Sequence, residues 1–310
     1  MIASPLVACS KSTKLPAGQE QADRIRIASV RDTDLPTMSD TMTKALSVIN
    51  NPEAVLADLI TVIQRDGALA TAVLKLANSP VFMRQRTVDR VNQAIVILGM
   101  KTCKQVITSI WMRSTFSAVN PQLRKRCDLI CKHSFLAASL ATSINQLLSL
   151  GYLGEEFSAA LLHDLGRLLI AVVAPDLFPT ADPLTFREDT TILDHEHSVL
   201  GLDHCSLGGA YANRFNLPQS ISSGIEFHHS PSQAGALAPL VAVVSAADHL
   251  ANHILAEKKI KNYDPSASEG WRLLCPGKEP ASLPNFSARL AKMVVKAMRE
   301  ARAFLSMQKN

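Results

Sequence analysis

Seven histidine and aspartate side chains between positions 133 and 248 have the types and spacing of a metal-binding centre. They lie in short, mostly apolar segments: His133 in CKHSFLA, His163 and Asp164 in LLHDLGR, His204 in DHCSLGG, His228 and His229 in EFHHSP, and Asp248 in SAADHLA. Imidazole nitrogens and carboxylate oxygens suit divalent iron, manganese, zinc or nickel. The seven residues are therefore candidate ligands of one or more such cations.

His163 and Asp164 are adjacent within the apolar stretch AALLHDLGRLLI, which predicts a helix over Glu155–Ala171. Neighbouring side chains diverge by about 100° on a helix, which allows both to reach a metal, or two metals, lying against its side. Gly166 leaves room for a close approach. Because an unpaired buried carboxylate is costly, Asp164 indicates a cation or a dense hydrogen-bond network. Cations at such a site would activate water for phosphoester hydrolysis.

Several other candidates are given a structural role. Solvated, capping or surface positions are predicted for four further histidines: His195, His197, His249 and His253. Cys127 and Cys131, one helical turn apart, could join a metal site, but small buried filler is the favoured interpretation. The absence of a glycine-rich loop with Lys-Ser/Thr argues against the use of ATP or GTP.

Composition limits the class of protein. With 47% hydrophobic and 19% charged residues in 310, the chain is expected to form one large or two closely packed soluble domains, not a disordered or fibrous structure. The apolar runs at 168–174 and 236–247 are shorter than the roughly 20 residues that span a bilayer, so no membrane helix is predicted. Six cysteines without a CxxC pair favour the reducing cytoplasm.

Charge is uneven along the chain, whose formal net charge is +5. Basic residues outnumber acidic ones between positions 84 and 132, and such a patch could meet phosphates or an acidic partner. A set of solvated helix faces is the favoured interpretation. Nucleic-acid binding is the least favoured function, because no recognition motif accompanies the charge.

Helical periodicity continues along the chain from Leu35, and no segment shows the alternation of a strand. Asn51 and Pro52 are predicted to start a helix that stops at Gly67, and a later helix is predicted to end at Gly99. A long helix is predicted after Pro121, with His133 beside the core. Residues 261–285 are predicted to form a loop, and a basic amphipathic helix is predicted at the end of the sequence. The expected fold class is all-α.

The ligand candidates also carry a family resemblance. The order His133, His163-Asp164 and Asp248 resembles the H…HD…D signature of the HD superfamily of metal-dependent phosphohydrolases. With His204 and His228-His229, the set resembles the HD-GYP phosphodiesterases, which act on cyclic dinucleotides with two or three metals. The frame over about 35–255 is similar to the HDOD domain, a bacterial signalling output domain, through these landmarks: LPTMSD, RDGALATAVLKLANSPVF, VDRVNQAIVILGM, LLHDLGRLL, DHCSLGGAYANRFNLPQSISSGIEFHHSP and VSAADHLA.

The resemblance implies a function and an alternative. HDOD proteins are mostly regulatory outputs, which implies a cytoplasmic signal-transduction protein with a signalling protein partner. The alternative is a metal-dependent phosphohydrolase or phosphodiesterase acting on a phosphate-containing small molecule, with Asp164 catalytic and Arg167 binding phosphate. Three departures argue against cyclic-di-GMP hydrolysis: Arg167 replaces the lysine of HDxGK, Ser230 replaces the glutamate after the double histidine, and no GYP segment occurs.

The same resemblance suggests a division of the chain. We expect a partly disordered extension over 1–34 and an HDOD domain over 35–258. That multi-helix domain would consist of an N-terminal helical lobe (35–120) and an HD-like lobe (121–258). A loop and the C-terminal helix would occupy 259–310.

Overall fold

Helices make up nearly all of the regular structure. A computed structural model describes residues 53–79, 87–115, 120–184 and 191–306, with the isolated positions 44, 45, 47, 48, 82 and 186. No strand occurs among these residues, which confirms the all-α prediction. The predicted extension over 1–34 and the start at Asn51 and Pro52 lie outside the described residues.

The first described helices are α1 (Leu56–Gln64), α2 (Gly67–Ala77) and α3 (Val91–Thr115). Gly67, predicted as a stop, is instead the first residue of α2. The Asp66 side chain caps this helix by accepting hydrogen bonds from the backbone N–H groups of Ala68 and Leu69. The predicted break at Gly99 is confirmed by its φ of 73° within α3. Asn78 closes the turn to the third helix through two side-chain hydrogen bonds to the backbone of Val88.

Helix α4 (Arg124–Leu148) follows in the chain, and it packs against α5 (Glu155–Leu162). His133 is fully buried in α4, as its position on the inward stripe predicted. Lys101 of α3 and Glu156 of α5 form an ion pair of 2.9 Å, and the Glu156 carboxylate is completely buried. This pair connects α3 to the helix that precedes His163.

The single helix predicted over Glu155–Ala171 is wrong. The chain forms α5 and then α6 (Leu165–Val173), and His163 and Asp164 occupy the turn between them. The backbone of Asp164 leaves the helical region (φ −91°, ψ 16°), and its carbonyl accepts a tight i→i+3 bond from Arg167 N at 3.1 Å. The break changes the direction of the chain at the two candidate ligands.

Short helices then lead to the last element of the site. They are α7 (Phe178–Ala181), α8 (Thr191–Leu200), α9 (His204–Arg214), α10 (Gln219–Phe227), a 3-10 segment (Pro231–Leu237) and α11 (Ala238–Leu255). Helix α11 packs against α4, and α9 packs against both α6 and α10. Each helix that carries or borders a candidate ligand therefore packs against at least one other such helix.

The segment after α11 is more ordered than the predicted loop over 261–285. It contains three 3-10 turns (Ile260–Asn262, Pro265–Ala267, Pro280–Ser282) and α12 (Glu269–Leu274). Trp271 is fully buried, and Gly270 lies so close to α11 that a Cβ there would be 2.4 Å from Ala242 O. This segment therefore covers one face of α11.

The surface positions predicted for His249 and His253 are wrong, since both side chains are buried. The Tyr263 hydroxyl lies 3.0 Å from His249 Nδ1 and accepts a hydrogen bond from Trp271 Nε1 at 2.9 Å. His253 Nε2 donates to Lys259 O at 3.1 Å. Helical spacing within α11 could not reveal this burial, because the residues that cover the two rings belong to the segment that follows the helix.

The closing helix is α13 (Phe286–Ser306), and it packs back on α4 as expected. Arg289 donates to Leu147 O and Lys296 to Gln146 Oε1, both at 3.1 Å. These contacts attach the basic helix to the outside of the lobe that carries His133.

Two stretches, Val91–Met112 and Pro231–Leu255, are long and apolar enough to span a membrane by length and composition. Within their most apolar 18-residue parts, 50% and 61% of the residues are buried inside the protein. Gly99 and Gly235 also interrupt them with positive φ angles. Both stretches are better explained as core helices.

Candidate metal centre

The seven candidate ligands come from three helices and two segments at helix ends but occupy one region. His133 lies within α4 and Asp248 within α11, whereas the others lie at helix ends: His163 and Asp164 between α5 and α6, His204 at the start of α9, and His228 and His229 after α10. Six of the seven are buried, and His229 is partly exposed. The structure thus brings together every residue that the sequence nominated as a metal ligand.

Two glycines allow α6 and α9 to approach closely. A Cβ on Gly166 would lie 1.8 Å from the carbonyl oxygen of His204. A Cβ on Gly208, one turn along α9, would lie 2.6 Å from Ile225 Cγ2 and 3.1 Å from the backbone nitrogen of Gly166. Only glycine at both positions brings His204 against the His163–Asp164 turn, as expected for Gly166.

One group of ligand atoms, the first ligand set, consists of His133 Nε2, His163 Nε2, Asp248 Oδ1 and Asp164 Oδ2. The two imidazole nitrogens are 3.2 Å apart. Asp248 Oδ1 is 2.9 Å from His133 Nε2 and 3.4 Å from His163 Nε2. Asp164 Oδ2 is 3.5 and 3.6 Å from the same two nitrogens.

The second ligand set consists of His204, His228, His229 and the other oxygen of Asp164, Oδ1. The Nε2 atoms of His204 and His228 are 3.3 Å apart and lie 3.6 and 3.9 Å from Asp164 Oδ1. The ring centroid of His229 is 4.2 Å from that of His228 and 5.3 Å from that of His204. Since each oxygen of Asp164 faces a different set, this bridging carboxylate connects the two sets.

These separations match the edges of a metal coordination shell. Ligands about 2.0–2.2 Å from a cation lie roughly 3.0 Å apart at right angles and roughly 3.4 Å apart in a tetrahedron. The distances within the first ligand set, from 2.9 to 3.6 Å, span this range. The residues therefore fit a cation in position as well as in type.

The hydrogen bonds of the rings support the same conclusion. In three histidines Nδ1 meets an acceptor: His163 to Ala160 O at 2.7 Å, His228 to Ile225 O at 3.0 Å, and His204 to Glu196 Oε2 at 2.7 Å. A neutral ring that donates through Nδ1 carries a lone pair on Nε2. Such lone pairs would face one another and the carboxylates across 3.2–3.9 Å. A cation between them removes this repulsion.

Electrostatics keep two histidines of the second set available as ligands, whereas Cys205 and Glu196 outweigh burial and hold the pKa of His204 well above its ordinary value. Burial and the neighbouring histidines hold the pKa of His228 well below its ordinary value. Burial, together with the nearby His204, lowers the pKa of His229 to about 4. Both rings are therefore neutral at pH 7 and can offer a nitrogen lone pair.

Arg167 and Asp182 orient the bridging carboxylate. The guanidinium forms two parallel bonds of 2.9 Å with Asp182 and one of 2.7 Å with Asp164 Oδ2. Burial acts to raise the pKa of Asp164, but Arg167 and the surrounding histidines hold it well below its ordinary value. Asp164 is therefore ionised, and Arg167 fixes its direction.

Sequence reasoning missed three supporting residues: Asp182, Glu196 and Asn252. Glu196 is fully buried and accepts bonds from both the ring and the backbone N–H of His204. Asn252 donates to Asp248 Oδ1 at 2.9 Å, one turn along α11. The i,i+4 spacing of Asp248 and Asn252 is the one signal that could have indicated such a contact.

The remaining candidates agree with their structural roles. His195 and His197 are exposed, and His195 Nε2 donates to Thr180 O at 2.8 Å. Cys127 belongs to no cluster of metal-ligating groups among the described residues, and burial raises the pKa of its thiol to about 11. The buried-filler interpretation of Cys127 therefore holds.

A cavity of about 410 Å³ opens beside the cluster. Its lining has an acidic and imidazole part and a small apolar part: Asp164, Arg167, Asp182, Pro183, Phe186, Thr191, Ile192, His195, His204, His229, Asp248 and Asn252. Members of both ligand sets thus face a space large enough for a small molecule.

Comparison with known proteins assigns the family. The sequence profile of the HDOD domain matches residues 35–231, more than half of the chain. The chain belongs to the HDOD domain family. The match ends before Asp248, which the fold nevertheless brings into the cluster.

Solved structures share the fold of this HDOD protein. An HDOD domain protein of unknown function from Geobacter sulfurreducens has a TM-score of 0.73 at 21% identity, covering 94% of this chain and 99% of that one. A proposed phosphohydrolase from Shewanella amazonensis has a TM-score of 0.67 at 21% identity, covering 88% and 96%. A proposed signal transduction protein from Marinobacter aquaeolei has a TM-score of 0.66 at 19% identity, covering 93% and 65%.

A curated sequence relative is known as well. An uncharacterised protein of Treponema pallidum is 26% identical over 243 residues, which is 77% of this chain. The match spans only 44% of that relative's length.

Proposed function

We propose that this HDOD protein is a metal-dependent phosphohydrolase that acts within a bacterial signalling system. The observation that carries the proposal is the convergence of two ligand sets on the two oxygens of Asp164, beside a cavity that both sets reach. The sequence alone favoured a regulatory output that works through protein contacts. The completeness of both ligand sets favours the enzymatic alternative.

The first ligand set would hold one divalent cation and the second another, drawn from iron, manganese, zinc and nickel. When bound, such cations supply Lewis acidity toward a phosphoryl group and a water-derived nucleophile at neutral pH. The chain contributes the geometry. Asp182 and Arg167 fix the bridging carboxylate, Asn252 holds Asp248, and Glu196 fixes the ring of His204.

Arg167 is better suited to positioning than to catalysis. It lines the cavity, but three of its five N–H groups already bind Asp182 and Asp164. We therefore assign it to orienting Asp164. A direct contact with phosphate remains a prediction for the other two N–H groups.

The cavity supports a small phosphoester as the substrate. Its volume of about 410 Å³ lies in the lower part of the range of about 300–1,000 Å³ that small-molecule sites occupy. A cyclic dinucleotide is disfavoured further by the missing GYP segment.

The described cysteines are free thiols, which supports the proposed location in a reducing cytoplasm.

A signalling output that acts only through protein contacts is the second candidate. The described function of the Marinobacter relative supports it, and a signalling protein partner is compatible with either proposal. In that case the cluster would stabilise the lobe without turnover.

One experiment separates the two functions. The full-length protein, purified without added metal, is analysed for bound metals and assayed with p-nitrophenyl phosphate, bis(p-nitrophenyl) phosphate and cyclic dinucleotides in the presence of manganese or iron. We expect stoichiometric metal and turnover that Asp164→Ala abolishes. His197→Ala is the matched control, because this histidine is exposed on α8 and should leave turnover unchanged. Bound metal without turnover on any phosphoester would contradict the enzymatic proposal.

A further inference from the structure

The two ligand sets differ in charge. The first contains two imidazoles, the carboxylate of Asp248 and one oxygen of Asp164. The second contains three imidazoles and the other oxygen of the shared Asp164, and beside it lies the thiol of Cys205, whose pKa burial raises, so that it adds no charge. Since a directly bound carboxylate attracts a divalent cation more strongly than a neutral ring does, the first set offers the stronger site.

The sets also differ in closure. His133 and His163 are fully buried and do not line the cavity, and each of their Nε2 atoms lies within 3.6 Å of the other and of one oxygen each of Asp164 and Asp248. In the second set the separations reach 3.9 Å, His204 and His229 line the cavity, and His229 is partly exposed. Water and small ligands therefore reach the imidazoles of the second set directly, whereas in the first set they reach only the carboxylates of Asp164 and Asp248.

The second set depends on a support that the first set lacks. Glu196 of α8 holds both the ring and the backbone N–H of His204. On the same helix, Ile192 and His195 form part of the cavity wall. The helix that fixes His204 therefore also borders the space in which a ligand would bind.

We infer that the two sets hold cations unequally: the first binds one cation firmly, and the second binds another reversibly, with Glu196 as its positioning residue. The identity of the cations rests on the proposed function. Under that function, hydrolysis follows the free concentration of the divalent metal, because only a protein with both sets filled is active. Cavity-lining residues of both sets would then face the substrate.

The test is a titration of the full-length protein, stripped with a chelator, with manganese ions in a calorimeter. We expect two binding steps whose affinities differ by at least about tenfold. Glu196→Gln should weaken the weaker step by about 10–100-fold, the usual effect of losing an outer partner of a histidine ligand, and leave the tighter step unchanged. Asp248→Asn should weaken the tighter step.

Two further variants keep the test decisive. His197→Ala, one residue from Glu196 but exposed, should change neither step. His229→Ala removes a partly exposed ligand and should weaken only the weaker step, whether or not Glu196→Gln folds. Thermal unfolding of the chelated variants shows whether a change in affinity reflects the site or a loss of folding.

The outcomes distinguish this inference from the proposed function. Two cations bound with equal affinity, or a Glu196→Gln variant that loses the tighter step, would overturn the inference alone. Two unequal steps without any hydrolysis would support the inference and contradict the proposed function. A protein that binds no manganese, iron, zinc or nickel would overturn both.

Discussion

Replacing Gly166 with alanine tests the close contact on which the second ligand set depends. The added Cβ would lie 1.8 Å from the carbonyl oxygen of His204, and real Cβ atoms essentially never approach within 3.0 Å. Helix α9 must therefore move away from α6 by at least about 1.2 Å, the difference between these distances. Metal–ligand distances tolerate only about 0.2 Å, so His204 would leave the coordination shell.

The expected result is a loss of one bound cation and of stability together. Overpacking of a core costs about 1–3 kcal/mol, which lowers Tm by roughly 2–4 °C per kcal/mol for a domain of a few hundred residues. Metal analysis gives the stoichiometry, and thermal unfolding in chelator gives the intrinsic stability.

Gly67→Ala provides the control. No atom lies within 4 Å of a Cβ at that position, which is the first residue of α2. This variant should keep both cations and its Tm. A Gly166→Ala protein that retains two cations and the wild-type Tm would refute the argument that glycine positions His204.

Three other perturbations have expected outcomes. Arg167→Ala leaves the fully buried carboxylate of Asp182 without its cation, so urea unfolding should show a free energy of unfolding lower by about 3–5 kcal/mol. Arg167→Lys keeps the charge but loses the paired hydrogen bonds of the guanidinium, so its free energy of unfolding should fall by less. Chelation should lower the stability of the metal-loaded protein by about 2.7 kcal/mol for each site that was filled at 100 times its Kd, and an unchanged Tm would count against metal binding. Tyr263→Phe removes the acceptor of the Trp271 indole N–H, and calorimetry should show about 1–3 kcal/mol less stability with both metal steps intact.

The candidate ligands could be selected from the sequence because their chemistry is uncommon in a core helix. An imidazole and a carboxylate side by side, as in His163 and Asp164, carry a desolvation cost that a helix of leucine and alanine does not explain. Their order along the chain with His133 and Asp248 resembles the HD signature, and the resemblance to the HD-GYP phosphodiesterases added the three further histidines. The fold class followed from periodicity, which needs no tertiary information.

The supporting contacts could not be predicted in the same way. Glu196 lies between two exposed histidines, so its burial depends on how α8 meets α9, which local spacing does not specify. Asp182 is in a proline-rich segment with no periodicity to mark an inward direction. His249 and His253 were misassigned because the segment that covers them follows α11 in the chain and has little regular pattern.

The contact between α12 and α11 has a consequence for biosynthesis and turnover. Asp248 lies on α11, against which Gly270 and the buried Trp271 pack. The position of this candidate ligand is therefore fixed only after the residues that follow it have been synthesised and packed. A ribosome-bound chain that has reached Asp248 therefore still lacks the residues that hold this helix in place. For the same reason, a protease that removed the tail would disable the centre while leaving all seven ligands in the sequence.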